Sequence, residues 1–172
     1  FVGTMPAAAG TNTITLPARV KSVKSIFGTF IQEDQMGGAA VYDTSVFQRA
    51  GLSRYRFEIG SVRYPQTDVV ANSQENDVEL QKAFGKLGDY SHQQAYSHKH
   101  TRNDVTARAP TTMASALLSA YFIGYDFEAF QRVALEAGIN TADRSLPINF
   151  IATKAATAQA VRADFYVLTD AI

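Results

Sequence analysis

The strongest constraint on the fold comes from a stretch in which charged and apolar side chains alternate residue by residue. Over residues 54–59 the chain alternates Arg54, Arg56 and Glu58 with Tyr55, Phe57 and Ile59. A period of two puts one set on each face of an extended chain, so the stretch predicts a β-strand with one dry and one wet face. Segments 146–153 and 161–169 alternate in the same way and predict two further strands.

The rest of the chain adds more strands and one helix. Residues 14–31 also fit a helical spacing, but their β-branched and aromatic content favours strands. Pro65 predicts that its strand ends there or lies at a sheet edge. An apolar run from 117 to 130 predicts a strand buried on both faces. Residues 76–88 predict a short helix, capped by Asn76 or Asp77 and stopped by Gly88.

These elements predict an all-β fold. Strands that come in runs, without helices between them, indicate antiparallel sheets. About eight strands, one short helix and long loops in 172 residues fit a jelly-roll sandwich best. We expect a flexible lead-in over residues 1–19 and a single jelly-roll domain over 20–172. A long polar loop is predicted at about 89–112, and loops of that length are usually functional or interfacial.

Charge and composition exclude several classes of function. Lysine plus arginine and aspartate plus glutamate each number 16, so the net charge is zero. A neutral chain lacks long-range attraction to nucleic acid or anionic membranes. No stretch is long and apolar enough to span a membrane. Cysteine is absent, which excludes disulfides, thiol nucleophiles and cysteine-ligated metals.

The histidines form the only candidate metal site. His98 and His100 would share one face if they lay on a strand, with His92 and Asp104 near in sequence. Metal-binding cupins, which are jelly rolls, use such a pair, but the glycine-bearing motif around it is missing here. We therefore favour solvated loop histidines and predict no metal and no cofactor.

A carboxylate pair is the only other candidate for catalysis. Asp126 and Glu128 have the spacing of two residues on one strand face, and paired carboxylates can perform acid–base chemistry. They also fit the wet end of a strand that leaves the core. No phosphate-binding glycine loop and no nucleophile motif occurs in the sequence. We predict that the chain is not an enzyme.

Aromatic and basic residues point to contacts with other macromolecules. Arg54, Arg56, Arg63 and Lys82, together with Tyr64, could form a basic and aromatic surface for nucleic acid. Glu58 lies among these arginines and weakens that interpretation, so we expect no specific nucleic acid partner. Tyrosine offers a large rigid area with a polar tip, which suits protein interfaces. The predicted interface residues are Tyr64, Tyr90, Tyr96, Arg54 and Arg56.

The order of segments along the chain resembles a known family. The segments are 23–27, Phe47, 50–60, Tyr64-Pro65-Gln66, 121–128, 137–141 and 163–170. Over about residues 20–172 this order is similar to the C-terminal jelly roll of double-jelly-roll major capsid proteins. These proteins form the shells of icosahedral double-stranded DNA viruses of the adenovirus, polinton and virophage kind.

The resemblance implies that the protein is a structural one. In the family, three double-barrel chains form a pseudo-hexagonal capsomer, capsomers tile the virion, and no catalytic residues exist. We therefore expect partners that are copies of this chain, as trimers or pentamers, and other capsid proteins of the virion. The chain has room for one jelly roll only. We expect either that the first barrel is missing or that this is a single-jelly-roll capsid or penton protein, and the absent initiator methionine favours a piece of a longer chain.

A binding module is the alternative from another class. A carbohydrate-binding or adhesin-like β-sandwich would use tyrosine and asparagine in its loops to meet sugar rings.

Overall fold

The computed structural model describes residues 1–32, 47–85, 121–128, 138–142, 146–157 and 159–170. These residues form eight strands and one helix. The strands are β1 (Val2–Met5), β2 (Gly10–Leu16), β3 (Val23–Gln32), β4 (Leu52–Ile59), β5 (Val62–Val70), β6 (Phe122–Asp126), β7 (Ile148–Lys154) and β8 (Val161–Thr169). The helix, α1 (Gln74–Ala83), lies between β5 and β6 in the chain. In the described part of the chain, no helix is long and apolar enough to cross a membrane.

The strands pair in the order of a jelly roll. Sheet 1 has the order β1-β8-β3-β6 and sheet 2 has the order β2-β7-β4-β5. All neighbouring strands are antiparallel. A jelly roll can be described as one long antiparallel hairpin, in which the strands pair as β1·β8, β2·β7, β3·β6 and β4·β5. The hairpin then wraps around itself, so that β8 also pairs with β3 and β7 also pairs with β4. Two four-stranded sheets made in this way are a jelly-roll sandwich, so the predicted fold class is confirmed.

The core lies between the two sheets and follows the predicted alternation. On β7, Ile148, Phe150 and Ala152 are buried, and the residues between them are only partly so. On β8, burial alternates from Val161 to Phe165 and weakens towards the end of the strand. The segments 54–59, 146–153 and 161–169 therefore form strands as predicted, with their apolar sets facing inward.

The first residues of the chain are a correction to the sequence prediction. We expected a flexible lead-in over residues 1–19, but β1 and β2 lie there and form edge strands of the two sheets. The Cα pairings run from Val2 opposite Asp164 on β8 and from Gly10 opposite Lys154 on β7. An edge strand is held largely by backbone hydrogen bonds, so small polar residues can form one.

The strand that contains Pro65 lies at a sheet edge. β5 continues from Val62 to Val70 through Pro65 and pairs only with β4 among the described strands. A proline has no N–H to donate, and on an edge strand one side of the backbone needs no partner. The second of the two predicted possibilities is therefore correct.

The helix begins earlier than predicted and has a different cap. Ser73, rather than Asn76 or Asp77, is the N-cap, and its hydroxyl accepts a hydrogen bond of 3.1 Å from the N–H of Glu75. Asn76 instead lies in the core, where its Oδ1 accepts a 2.8 Å hydrogen bond from the buried Tyr55 hydroxyl. The helix ends before Gly85, whose φ of 64° is a left-handed conformation that favours glycine.

Several predictions fall on residues that the structure does not describe. They are the long loop at about 89–112, the helix stop at Gly88, and the two ends of the apolar run around β6, at 117–120 and 129–130. The segment at 138–141, predicted as a turn, contains a bridge in which Ile139 pairs with Val23 of β3.

Candidate functional site: two contrasting outer faces

The outer face of sheet 2 is polar. Thr11, Thr13 and Thr15 of β2 point away from the core, opposite the outward residues of β7. The Thr11 and Thr153 hydroxyls are 3.2 Å apart, and the Thr15 hydroxyl donates to Asn149 Oδ1 at 2.9 Å. Two of the three threonines thus pair with polar side chains of β7, and Thr13 lies opposite the aliphatic Ile151.

The predicted arginines lie on this polar face and are largely neutralised. Arg56 Nε is 2.8 Å from Glu58 Oε1, and its Nη1 is 3.0 Å from Asp68 Oδ1. Its pKa is raised, first by the hydrogen bond to Glu58 and then by the bond to Asp68. Arg63 adds a 3.4 Å contact to Glu58, while Arg54 is exposed on the same face.

The four basic residues do not form one surface. Arg54 and Arg56 belong to β4, whereas Lys82 lies on α1, which packs against β6 of the other sheet. There Lys82 Nζ is 2.8 Å from Glu79 Oε1. The basic and aromatic nucleic-acid surface considered from the sequence is therefore not assembled, because carboxylates accompany the arginines and the lysine lies elsewhere.

Of the predicted interface tyrosines, the structure describes one. Tyr64 is half-buried, and its ring centre is 5.5 Å from that of Phe127. Tyr90 and Tyr96 lie outside the described residues, as do the candidate metal ligands His92, His98, His100 and Asp104. Within the described residues, no group of three or more histidine, cysteine or acidic side chains could hold a metal ion.

Asp126 and Glu128, the candidate catalytic pair, are both engaged by other groups. Asp126 Oδ1 accepts a 2.9 Å hydrogen bond from the backbone N–H of Glu128. Glu128 Oε1 is 3.2 Å from Lys24 Nζ, which also contacts Asp170 Oδ1 at 2.7 Å. The hydrogen bonds from Lys24 and Ser22 lower the pKa of Asp170. Glu128 and Asp170 therefore belong to an ion-paired cluster at the strand end, where their side chains are only 13% and 11% exposed.

The outer face of sheet 1 is partly covered by the helix. Gly124 of β6 faces α1 so closely that an added Cβ would lie 3.0 Å from Leu80 Cδ2 and 3.1 Å from Ala83 Cβ. Just past the helix, the Phe84 ring centre lies 4.9 Å from that of Phe27 on β3. The helix and Phe84 therefore shield β6 and part of β3.

Beyond this cover, β8 presents apolar side chains to solvent. Tyr166 is 61% exposed and Leu168 is 52% exposed. Tyr166 lies opposite Phe27 in the sheet, and Phe27 contacts Phe84, so the three side chains form a row across the outer face. Phe84 is itself 44% exposed. We call Tyr166, Leu168 and Phe84 the outer strip. Single exposed apolar residues are ordinary on a surface, but neighbouring ones mark interaction sites.

Sequence reasoning missed the outer strip although a signal was present. The alternation of 161–169 placed Tyr166 on the wet face together with Arg162 and Asp164. On that face a large apolar side chain replaces the expected polar one. The pattern alone does not say whether a helix covers it.

A shallow cavity lies at one end of the sandwich, near the β4–β5 turn. Its volume is about 260 Å³. It is lined by Ile59, Val62, Tyr64, Ile139, Asn140 and Leu146. The lining combines aliphatic side chains with one aromatic ring and one amide, so it suits a small ligand with an apolar face and polar edges.

The sequence was compared with protein-family models and with curated proteins. No protein-family model matches this chain, and no curated protein sequence matches it either. Evidence for function therefore lies in the fold and its surfaces.

Proposed function

We propose that this chain is a viral structural protein, a jelly-roll capsid subunit that assembles with copies of itself into an icosahedral shell. It acts in the virion, after production inside the host cell, with other capsid proteins as further partners. Jelly rolls are used by viral capsid proteins, lectins and cupins, so the fold alone admits several functions. The order of segments described above favours the first of these.

The observation that carries the proposal is the outer strip. Tyr166 and Leu168 lie on a rigid sheet face, where their backbone is fixed by pairing with β3. A partner that covers them removes apolar area from water without ordering a flexible loop, which makes association more favourable. The zero net charge supports the same proposal, because identical subunits with no net charge repel one another little.

The proposal predicts that polar substitutions in the outer strip weaken assembly. We expect the double variant Tyr166→Ser and Leu168→Ser to raise the protein concentration needed for self-association at least tenfold, because two anchor side chains are lost. Light scattering over a concentration series measures this. Val62→Ser is the matched control, since Val62 is an exposed aliphatic residue away from the strip. An equal effect of the control and the double variant would contradict the assignment of the strip.

A carbohydrate-binding module is the second candidate, favoured by the cavity that contains both Tyr64 and Asn140. An aromatic ring can stack on the apolar face of a sugar ring, and an amide can form hydrogen bonds with the sugar hydroxyls. This function predicts that a cognate glycan raises the melting temperature by mass action. A broad glycan panel tested by thermal shift checks it, and the absence of any shift at millimolar concentrations would count against it.

A further inference from the structure

The first strand is attached to the sandwich mainly through its backbone. Of the three side chains of β1, Met5 is fully buried, whereas Val2 and Thr4 are exposed, Val2 by 64%. The ladder with β8 covers Val2 to Met5, and Phe1 extends it by two 2.7 Å hydrogen bonds with Phe165. A short edge strand with one buried side chain depends on other contacts to stay in place.

The segment that links β1 to β2 is held by a buried lysine, and by the backbone N–H of Thr157, which donates to the Ala7 carbonyl at 2.8 Å. Lys154, at the end of β7, is 2% exposed. Its Nζ donates to the backbone carbonyls of Pro6, Ala7 and Ala8 at 2.9, 3.2 and 3.3 Å, and lies 3.1 Å from the Thr157 hydroxyl oxygen. We call Lys154 and these three carbonyls the lysine clasp.

The lysine clasp binds backbone rather than a counter-ion. In the described part of the chain, no carboxylate lies within ion-pair distance of Lys154 Nζ. An ammonium group has three protons to donate, and the carbonyls of the link use that capacity. The clasp therefore has one evident effect, which is to hold the link between sheet 1 and sheet 2.

The link itself has the properties of a hinge. Pro6, Ala8 and Ala9 are exposed, and Gly10 follows with a φ of 151°. An added Cβ at Gly10 would meet nothing within 4 Å. Small exposed side chains and a glycine give the link few contacts of its own that would resist opening.

We propose that β1 is an exchangeable strand, and that the lysine clasp decides whether it pairs with β8 of its own chain or of a second copy. When the clasp opens, β1 can leave and expose the edge of β8. The segment with the matching register for that edge is the β1 of another copy. Reciprocal exchange gives a twofold dimer from contacts that already exist. This inference deepens the proposed function, on which it rests, by naming a second contact between subunits.

Engineered cysteines can detect the exchange, because the natural chain has none. Thr4 on β1 lies opposite Arg162 on β8. Phe1 and Phe165 exchange both backbone hydrogen bonds, and hydrogen-bonded and non-hydrogen-bonded pairs alternate along an antiparallel ladder. Thr4 and Arg162 therefore form a non-hydrogen-bonded pair, in which the Cα atoms are about 4.5 Å apart, close enough for a disulfide. A Thr4→Cys chain and a tagged Arg162→Cys chain are mixed, and the mixed disulfide is quantified by mass.

We expect this mixed disulfide to increase about tenfold when both chains also carry Lys154→Met, because Met fills the same space without donors. The control is a Thr4→Cys chain mixed with a Thr13→Cys chain, since Thr13 lies on the outer face of sheet 2. If the Lys154→Met mixture gives no more product than this control, the inference is wrong.

Two further measurements keep the test decisive. If the Lys154→Met chains do not fold, the Thr4→Cys and Arg162→Cys chains that keep Lys154 are refolded together from denaturant at high concentration. A mixed disulfide above the Thr13→Cys control then supports exchange, and none overturns it. A chain that assembles without any mixed disulfide refutes the exchange and leaves the proposed function intact. A chain that exchanges but forms nothing larger than a dimer refutes the proposed function and leaves the exchange intact.

Discussion

Replacing Phe150 by alanine is expected to lower the free energy of unfolding by about 3–5 kcal/mol, because its ring joins the two sheets. The ring belongs to sheet 2, yet its centre is 4.9 Å from that of Phe165 in sheet 1. It also lies 5.4 Å from Phe57 and 6.0 Å from Phe30. Truncation removes these contacts and leaves a cavity that rigid strands cannot close.

Urea unfolding measures this change, and two substitutions serve as controls. Phe150→Leu keeps most of the volume and should cost less than about 1.5 kcal/mol. Ile151→Ala removes an aliphatic side chain from the outward face of the same strand, so it should cost less than the alanine at 150. If Phe150→Ala cost no more than Ile151→Ala, the inner face of β7 would have been assigned wrongly.

Replacing Lys154 by methionine is expected to lower the free energy of unfolding by about 2–3 kcal/mol. Burial lowers the pKa of Lys154, so the folded chain holds its ammonium group at a desolvation cost. The hydrogen bonds to the carbonyls of Pro6, Ala7 and Ala8 offset that cost. Methionine fills the same buried space without donors, so the Pro6 and Ala8 carbonyls lose their bonds to Lys154, which loosens the link. The Ala7 carbonyl keeps only its bonds from Thr157.

The control for Lys154 is Lys21→Met, because Lys21 is an exposed lysine in the same protein. Its effect should stay within about 0.5 kcal/mol. Both variants are compared by urea unfolding at pH 7. Equal midpoints for the two variants would mean that the lysine clasp contributes no stability, and would also weaken the case for exchange of β1.

The sequence was sufficient to predict the strands whose two faces differ in polarity. Residues 54–59, 146–153 and 161–169 alternate because one face packs on the core while the other meets solvent. The number of such strands, with one helix, was enough to indicate the jelly roll. The order of the strands depends on pairings such as β1 with β8, between residues about 160 positions apart, which no local pattern records.

The sequence misled where backbone pairing rather than side-chain burial makes the strand. Residues 1–13 are mostly small or polar, so they indicated a flexible lead-in. Thr11, Thr13 and Thr15 do alternate with the residues that turn inward, and threonine has a high strand propensity. The threonine alternation favours a strand, but the alanines and glycine at positions 7–10 favour a loop, and the second signal was given more weight.

The surfaces were the least predictable part of the molecule. Arg56 stays a predicted interface residue, but the sequence did not predict that Glu58 and Asp68 of its own chain neutralise its charge. Which charges meet depends on the register of β4 against β5, and a bulge shifts that register between Tyr55 and Phe57. The outer strip depends in turn on where α1 folds back, because the helix covers Gly124 and leaves Tyr166 exposed.

The central claim is that this jelly roll assembles with copies of itself, and the native mass of the purified chain tests it most directly. Light scattering over a concentration series, with negative-stain images of the same samples, gives that mass. The proposal predicts trimers, pentamers or shell fragments that dissociate when Tyr166 and Leu168 are replaced by serine. A mass of 18.7 kDa, that of one chain, at every concentration and with no particles in the images, would contradict it.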